Sequence, residues 1–249
     1  MRRDALGWRA KFAVIGPSTN TVVQPDFEAM RPSGVTCHYR PILTPNAKAI
    51  SNETFKAGID VIAANTMDAV RTATTLEPDA LVMGMSSITF YGGVPGAESF
   101  IRRVHEETGL KVSCGSVATT AALRRYGRVK RIAFLSPYWP VMNEIVRQYF
   151  QEAGFDVVRD VALEAPSWLG IAAFTTAECR EALRRLDGDD VDALVQVGTN
   201  LSMVKLAAAA ELWLDKPVVA INTATWWHAL RTQGIHDRVE GFGRLLQEF

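Results

Sequence analysis

The chain has 249 residues, which is enough for one large domain or two small ones around a buried core. Its 27 Lys and Arg residues balance 27 Asp and Glu residues, which excludes the basic field that attracts nucleic acid or an anionic membrane. The basic first eleven residues are followed by no apolar signal-peptide region, and no apolar stretch is long enough to span a bilayer. The three cysteines form no CxxC pair, which predicts a reducing, cytoplasmic location.

Short β-rich runs alternate with helix-length segments along the whole chain. Continuous apolar strands separated by helices are typical of a parallel sheet that is covered on both faces. In chain order, the pattern predicts strands at Phe12–Ile15 and Val35–Ile42, a helix at Asn52–Thr72, a strand at Ala80–Met83, a helix at Ala97–Thr108, strands at Lys111–Cys114 and Arg131–Leu135, a helix at Val141–Ala153, a strand at Asp156–Val161, a helix at Ala177–Leu186, and strands at Ala193–Val197 and Pro217–Ile221.

The chain contains an internal repeat. Four short segments recur in the same order, offset by about 106 to 120 residues. The tetrapeptide that begins at Asp79 (Asp-Ala-Leu-Val) returns unchanged at Asp192, and Ser116-Val-Ala-Thr119 resembles Asn222-Thr-Ala-Thr225. The other two pairs are Lys11–Pro17 with Arg131–Pro137, and Ala122-Leu-Arg124 with Ala229-Leu-Arg231. The repeat predicts two related α/β units of ordinary domain size.

The repeat also predicts where a ligand binds. We expect two pseudo-symmetric, Rossmann-like halves with a cleft between them, the first formed by residues 1–116 plus 224–249 and the second by residues 117–223. Ligands of open parallel sheets bind beyond the carboxyl ends of the strands, where the strand-to-helix loops gather. The loops in question are 17–20, 84–87, 136–138 and 198–200, with Ser116 and Asn222 as outer members.

These loops are rich in small and polar residues that suit an anion. Glycines such as Gly84 and Gly198 let the backbone approach a ligand, and the N–H groups of a following helix favour negative charge. The hydroxyl and amide groups could contact a carboxylate or could simply cap the helices. They belong to Ser86, Ser87, Thr199 and Asn200.

Other polar residues leave two interpretations open. Thr19 and Asn20 lie in a turn whose composition turn chemistry alone would explain. Tyr138 either donates a hydrogen bond to a carboxylate or enolate, or packs at a helix start. Cys114 precedes Gly115-Ser116 near the expected cleft and has either a direct role or a packing role. The four histidines have no metal-ligand spacing, and neither GxGxxG nor GxxxxGK[ST] occurs, so we expect no metal and no cofactor.

Four segments resemble the aspartate/glutamate racemase superfamily, especially its branch of arylmalonate decarboxylases and maleate cis-trans isomerases. They are Gly16–Thr21, Met83–Tyr91, Leu135–Tyr138 and Leu194–Thr199. In that superfamily, one cysteine in each half transfers a proton or adds to a carbon beside a carboxylate. A thiol suits this chemistry because its pKa can be tuned towards neutrality.

The resemblance implies that both thiols are missing here. Gly84 matches the first cysteine position, where the decarboxylases also have glycine, and Val197 matches the second. Met85 replaces a threonine of the decarboxylases, which removes one hydroxyl donor. What the resemblance still implies is an oxyanion-type pocket formed by Ser86, Tyr138 and the backbone N–H of Gly198.

Three hypotheses follow. The first is a cofactor-independent lyase or isomerase that acts on a small carboxylic acid through an enediolate-like state without a cysteine. The second is a hydrolase that uses Ser86, Ser87, Thr199 or water, although an unassisted serine is a weak nucleophile. The third is a non-catalytic carboxylate-binding protein. The sequence gives no reason to expect nucleic-acid or membrane partners, and it is compatible with homo-oligomerisation.

Overall fold

The computed structural model describes residues 4–249. Within them, two α/β halves follow one another along the chain, and each begins with a long parallel strand. The first half consists of β1 (Ala10–Pro17), α1 (Val23–Ala29), β2 (Val35–Ile42), α2 (Asn52–Thr74), β3 (Ala80–Met83), a short 3₁₀ helix (Ser87–Thr89), α3 (Gly93–Thr108) and β4 (Val112–Ser113).

The second half repeats this alternation of strands and helices. It is linked to the first half by α4 (Gly115–Arg125) and is followed by two closing helices. Its elements are β5 (Arg131–Ser136), α5 (Pro140–Glu152), β6 (Asp156–Ala162), a 3₁₀ helix (Leu169–Ala173), α6 (Thr176–Leu186), β7 (Ala193–Gln196), α7 (Val204–Leu214) and β8 (Val218–Ala220). The two closing helices are α8 (Ile221–Thr232) and α9 (Arg244–Glu248).

Two four-stranded parallel sheets form the core. Their strand orders, β2-β1-β3-β4 and β6-β5-β7-β8, are equivalent under the repeat. The central strands β1, β3, β5 and β7 are almost entirely buried, as parallel strands covered by helices on both faces must be. Because all strands in a sheet point the same way, the loops after β1 and β3, and after β5 and β7, meet at one edge of each sheet.

The predicted fold class is confirmed, and the boundaries differ by only a few residues. Each predicted strand and helix is present at its place in the chain. The predicted strand Lys111–Cys114 is reduced to Val112–Ser113, and α4 starts at Gly115. Likewise, α8 begins at Ile221 and shortens the predicted strand Pro217–Ile221. In both cases the chain turns directly from a strand into a helix, which leaves no room for a longer strand.

The helix α8 packs against the first half although it follows the last strand of the second. The Trp226 indole stacks on Phe27 at 5.0 Å between ring centroids, and Phe12 meets it edge-on at 5.4 Å. The same indole donates a hydrogen bond to the carbonyl oxygen of Met30. These contacts support assigning residues 224–249 to the first half, and the boundaries at 116 and 223 stay a proposal. Among residues 4–249, no helix is both long and apolar enough to cross a membrane.

Candidate functional site

A small cavity lies where the loops of the two halves meet. Its volume for water-sized molecules is about 30 Å³, so the cavity holds little more than one or two waters in this conformation. Both halves contribute to its wall, in keeping with the cleft expected from the repeat. The lining residues are Pro17, Thr19, Asn20, Ile62, Met85, Ser87, Tyr138, Trp168, Ile171, Gly198, Thr199 and Asn200.

Asn20 connects the two halves at the edge of this cavity. Its Oδ1 accepts hydrogen bonds from the backbone N–H groups of Val22 and Val23 at 3.0 and 2.9 Å, which caps the start of α1. Its Nδ2 donates to Thr199 Oγ1 at 3.0 Å. The Thr199 hydroxyl in turn donates to the carbonyl oxygen of Gly84 at 2.8 Å. The protons of both side chains are therefore engaged in joining the halves.

Asn200 has a similar connecting role. Its Oδ1 accepts from the N–H of Thr21 at 2.9 Å, and its Nδ2 donates to the carbonyl oxygen of Trp168 at 3.0 Å. Helix capping and interface contacts thus occupy the amides of Asn20 and Asn200. The capping interpretation of Asn20 agrees with the geometry, although both side chains also line the cavity.

The hydroxyl groups of Ser86 and Tyr138 form a pair across the boundary between the halves. Their oxygens lie 2.7 Å apart, and both residues are buried. The pair holds two O–H protons, and one suffices for the bond between them, so the second is free to meet a ligand. Burial raises the pKa of Tyr138, which keeps its hydroxyl protonated and a donor. Ser87, also on the wall, donates only to the weakly accepting thioether of Met85 at 3.7 Å.

Backbone N–H groups add further donors from both halves. Within residues 4–249, the N–H groups of Met85, Ser86, Gly198, Thr199 and Asn200 make no hydrogen bond. Gly198 has φ +100°, and an added Cβ would lie 2.4 Å from Pro137 Cδ, so only glycine fits there. Such clusters of free N–H groups bind anions without any formal positive charge.

Three apolar residues of the wall were not predicted, whereas Met85 was. Ile62 projects from α2, and Trp168 and Ile171 come from the segment after β6. The Trp168 ring packs on Phe55 at 5.0 Å between centroids and closely covers Gly58. The internal repeat gave no indication of these residues, because they lie on segments with no matched counterpart. The sequence feature that could have indicated them is the tryptophan in the segment between β6 and α6.

Four predicted site residues, Ser86, Gly84, Val197 and Ser116, lie outside the lining, and Ser86 reaches the wall only through its hydrogen bond to Tyr138. An added Cβ on Gly84 would meet Val23 Cγ1 at 3.1 Å and Val14 Cγ1 at 3.3 Å, so a side chain there would enter the core. Val197 is fully buried, and Ser116 donates to the carbonyl oxygen of Thr89 at 2.7 Å from within α4. Gly84 contributes only its carbonyl oxygen, which accepts from Thr199.

Backbone hydrogen bonds in the two sheets explain why Gly84 and Val197 lie outside the lining. The N–H of Gly84 donates to Ile15 O at 2.7 Å, and the N–H of Val197 donates to Leu135 O at 2.9 Å, so these two residues are equivalent continuations of β3 and β7. The next residues in each loop, Met85 and Gly198, are the ones on the cavity wall. Positions 84 and 197 therefore do not line this cavity, because both still follow the strand direction.

No cysteine lines the cavity. Cys37, Cys114 and Cys179 are all buried, and burial raises the pKa of each thiol. A thiol with a raised pKa stays protonated and unreactive at neutral pH, so a direct role for Cys114 is not supported. His228, whose pKa is lowered by burial, contacts Ser113 Oγ at 2.9 Å away from the cavity wall. The described residues include no cluster of three or more His, Cys, Asp or Glu that could hold a metal ion.

Solved structures share this architecture. The maleate cis-trans isomerase of Nocardia farcinica, determined with a covalently bound succinylcysteine intermediate, superposes with a TM-score of 0.86 at 24% identity, covering 96% of this chain and 98% of that one. A structure of arylmalonate decarboxylase gives a TM-score of 0.76 at 21% identity, covering 95% of this chain and 98% of that one. At these identities the likeness establishes the fold.

Sequence comparisons are closer over part of the chain. A maleate isomerase of Pseudomonas putida is 34% identical over 121 residues, which are 48% of this chain and 48% of that protein. The match to this relative therefore spans about half of its length. The family model described as arylmalonate decarboxylase matches residues 15–246, nearly the whole chain. The protein therefore belongs to the arylmalonate decarboxylase family.

Proposed function

We propose that this protein is a cofactor-independent lyase that removes CO₂ from a small malonate-type acid through an enediolate, without a cysteine. The observation that carries this proposal is the donor set of the cavity. It combines the Ser86–Tyr138 hydroxyl pair with free backbone N–H groups of the 85–86 and 198–200 loops. Preorganised neutral donors of this kind stabilise the oxygens of an enediolate as negative charge develops on them.

In the proposed reaction, the bond between the α-carbon and one carboxylate breaks. Its electron pair passes to the α-carbon and into the remaining carboxylate, which gives CO₂ and an enediolate. The N–H groups and the hydroxyl pair hold the enediolate oxygens. The free proton of the Ser86–Tyr138 pair, or a water beside it, then protonates the α-carbon, and solvent restores that proton. The Thr199 hydroxyl, also on the wall, is a poorer donor because its proton already bonds Gly84 O.

A lyase fits this cavity better than an isomerase. The Nocardia farcinica maleate isomerase was determined with a succinylcysteine intermediate, so a cysteine forms a covalent bond in that enzyme. In this chain the cysteines are buried away from the lining, and the same covalent route has no nucleophile. Decarboxylation needs no covalent intermediate; it needs stabilisation of charge and one proton.

The apolar wall favours an acid with an apolar substituent. Ile62, Met85, Trp168 and Ile171 border the cavity beside the polar donors. Placing one carboxylate against these side chains would desolvate it without a partner, which raises its energy and promotes its loss as CO₂.

A second candidate is a non-catalytic carboxylate-binding protein. One observation favours it: among residues 4–249, the lining includes no Asp, Glu, His, Lys, Arg or Cys, so no side chain of this lining titrates near neutral pH. A serine hydrolase is less well supported, because His228 bonds Ser113 and no histidine lies on the wall to activate Ser86 or Ser87.

Incubation with malonate, methylmalonate, phenylmalonate and maleate in D₂O, followed by NMR, tests the proposal. We expect a malonate to give the corresponding acetate with one deuterium at the α-carbon. Tyr138→Phe should lower kcat by about 100-fold, as loss of an oxyanion donor does. Tyr91→Phe is the matched control, since the Tyr91 hydroxyl makes no side-chain hydrogen bond in the described structure. Tight binding of these acids without turnover would instead support the binding protein.

A further inference from the structure

Asp26 is a mostly buried carboxylate on α1 that does not line the cavity. It lies one turn after the cap formed by Asn20, and its Oδ2 accepts a hydrogen bond from Asn222 Nδ2 at 2.8 Å. Asn222 is at the start of α8 and is only 2% exposed. The contact therefore joins two helices directly behind the cavity loops.

Asn222 also contacts the 198–200 loop. Its Nδ2 also donates to the carbonyl oxygen of Thr199 at 3.0 Å, while its Oδ1 is buried without a partner among the described residues. The two bonds of Nδ2 alone therefore fix the amide. In a trans peptide the C=O and the following N–H point in opposite directions. Holding Thr199 O towards α8 thus directs the free N–H of Asn200 away from α8.

The first half holds its equivalent peptide in a different way. Ser86 corresponds to Thr199 in the repeat, and its carbonyl oxygen accepts from Thr89 Oγ1 at 2.7 Å. A neutral hydroxyl is sufficient there. In the second half, the Asn222 amide holds the carbonyl oxygen of Thr199, and this amide also contacts the carboxylate of Asp26. Only the loop of the second half is therefore linked to an ionisable group.

Keeping that carboxylate ionised is costly for the fold. Burial raises the pKa of Asp26 to about 6, although the Asn222 hydrogen bond and the positive charge of Lys205 both lower it. The group that faces Asp26 from α8 is the neutral Asn222, and the group that acts on it from α7 is Lys205. An asparagine would avoid the desolvation of a charge at this site, so a purely structural role does not favour aspartate.

We infer that Asp26 is a positioning residue, which acts through Asn222 to hold the Thr199–Asn200 peptide with its N–H directed at the bound carboxylate. This inference rests on the proposed function, since it names the donor that meets the substrate. The carboxylate only accepts hydrogen bonds, so it selects the Nδ2 side of the Asn222 amide, and the same nitrogen then reaches Thr199 O.

Carbon-13 NMR of the ligand-free protein tests the coupling without any assay of activity. The Thr199 carbonyl signal should titrate with a midpoint near pH 6 in the wild type and should not titrate in that range in Asp26→Asn. Asp68→Asn makes the same chemical change on the exposed face of α2 and should behave as the wild type. A Thr199 signal that is the same in Asp26→Asn as in the wild type would overturn the inference.

Kinetics test the consequence for the reaction. Asp26→Asn and Asn222→Ala should each lower kcat on the accepted malonate by about tenfold while KM changes less than twofold, and the double variant should lose no more than either alone. Asp26→Glu should recover part of the loss. Multiplicative losses in the double variant would contradict the inference. If the wild type turns over no malonate, the proposed function fails, whereas the carbonyl titration still decides whether Asp26 orients the loop.

Discussion

Ser86 and Tyr138 come from different halves of the chain, and their hydroxyl oxygens lie 2.7 Å apart in a buried position. This bond couples the two halves at the point where both contribute to the cavity. Ser86→Ala or Tyr138→Phe leaves one buried hydroxyl without its partner and should lower the free energy of unfolding by about 1 to 2 kcal/mol. The double variant should lose less than the sum of the two, by about 1 kcal/mol, in urea unfolding. Strict additivity would show that the two hydroxyls do not interact.

Gly198 gives a prediction that separates backbone strain from steric clash. Gly198→Ala places a Cβ at φ +100°, within 2.4 Å of Pro137 Cδ. Gly127→Ala is the matched control, because Gly127 has φ +89° with nothing within 4 Å of an added Cβ. Thermal unfolding should give a loss of about 1 to 2 kcal/mol for the control, from strain alone, and clearly more for Gly198→Ala. Equal losses would mean that Pro137 moves aside at no cost.

Cysteines introduced at neighbouring positions test which residue faces the cavity. Met85→Cys should be alkylated by iodoacetate, a reagent that carries its own carboxylate, and phenylmalonate should protect it. Gly84→Cys should react slowly, because its side chain would point at Val23 and Val14. The wild-type protein should not react, since its three cysteines are buried. Mass spectrometry of the labelled protein provides the measurement, and faster labelling at position 84 would refute this assignment.

The pH dependence of the free energy of unfolding tests how much the buried charge of Asp26 destabilises the fold. Its pKa is about 6 in the folded protein against an ordinary value of 3.8, so the folded state binds the proton more tightly than the unfolded state. Protonated Asp26 therefore adds to the free energy of unfolding below about pH 4, and this contribution is lost as the pH rises through 6. The unfolding free energy of Asp26→Asn, relative to the wild type, should therefore rise between pH 4 and pH 7 by roughly 1 to 3 kcal/mol. Urea unfolding across that range measures it, and a constant difference would contradict the raised pKa.

Periodicity and repetition predicted the fold well. The strands are continuous apolar runs with clear turns after them, and the repeat reveals the two halves directly. The loops after β1, β3, β5 and β7 follow from the same reasoning, since parallel strands bring them to one edge. That is why Asn20, Ser87, Tyr138 and Gly198 could be named from the sequence.

The remaining features depend on tertiary contacts. Whether a residue continues the strand direction or turns into the cavity is decided by the backbone, so the sequence could not show that Met85 and Gly198 line the cavity while Gly84 and Val197 do not. Trp168 and Ile171 follow an outer strand of the second sheet, in a segment that has no counterpart in the internal repeat. In the sequence, Asp26 is an ordinary acidic residue in the first turn of a short helix. Its connection to Thr199 through Asn222 forms only when α8 packs on α1.

A crystal structure of the protein with phenylmalonate tests the central claim most directly. We expect the acid to lie between the two halves. One carboxylate should be within hydrogen-bonding distance of the Ser86–Tyr138 pair and the N–H groups of residues 198–200. The other should lie against the apolar side chains of Trp168, Ile171 and Ile62. An acid bound elsewhere, or bound here with both carboxylates turned away from Ser86 and Tyr138, would contradict it.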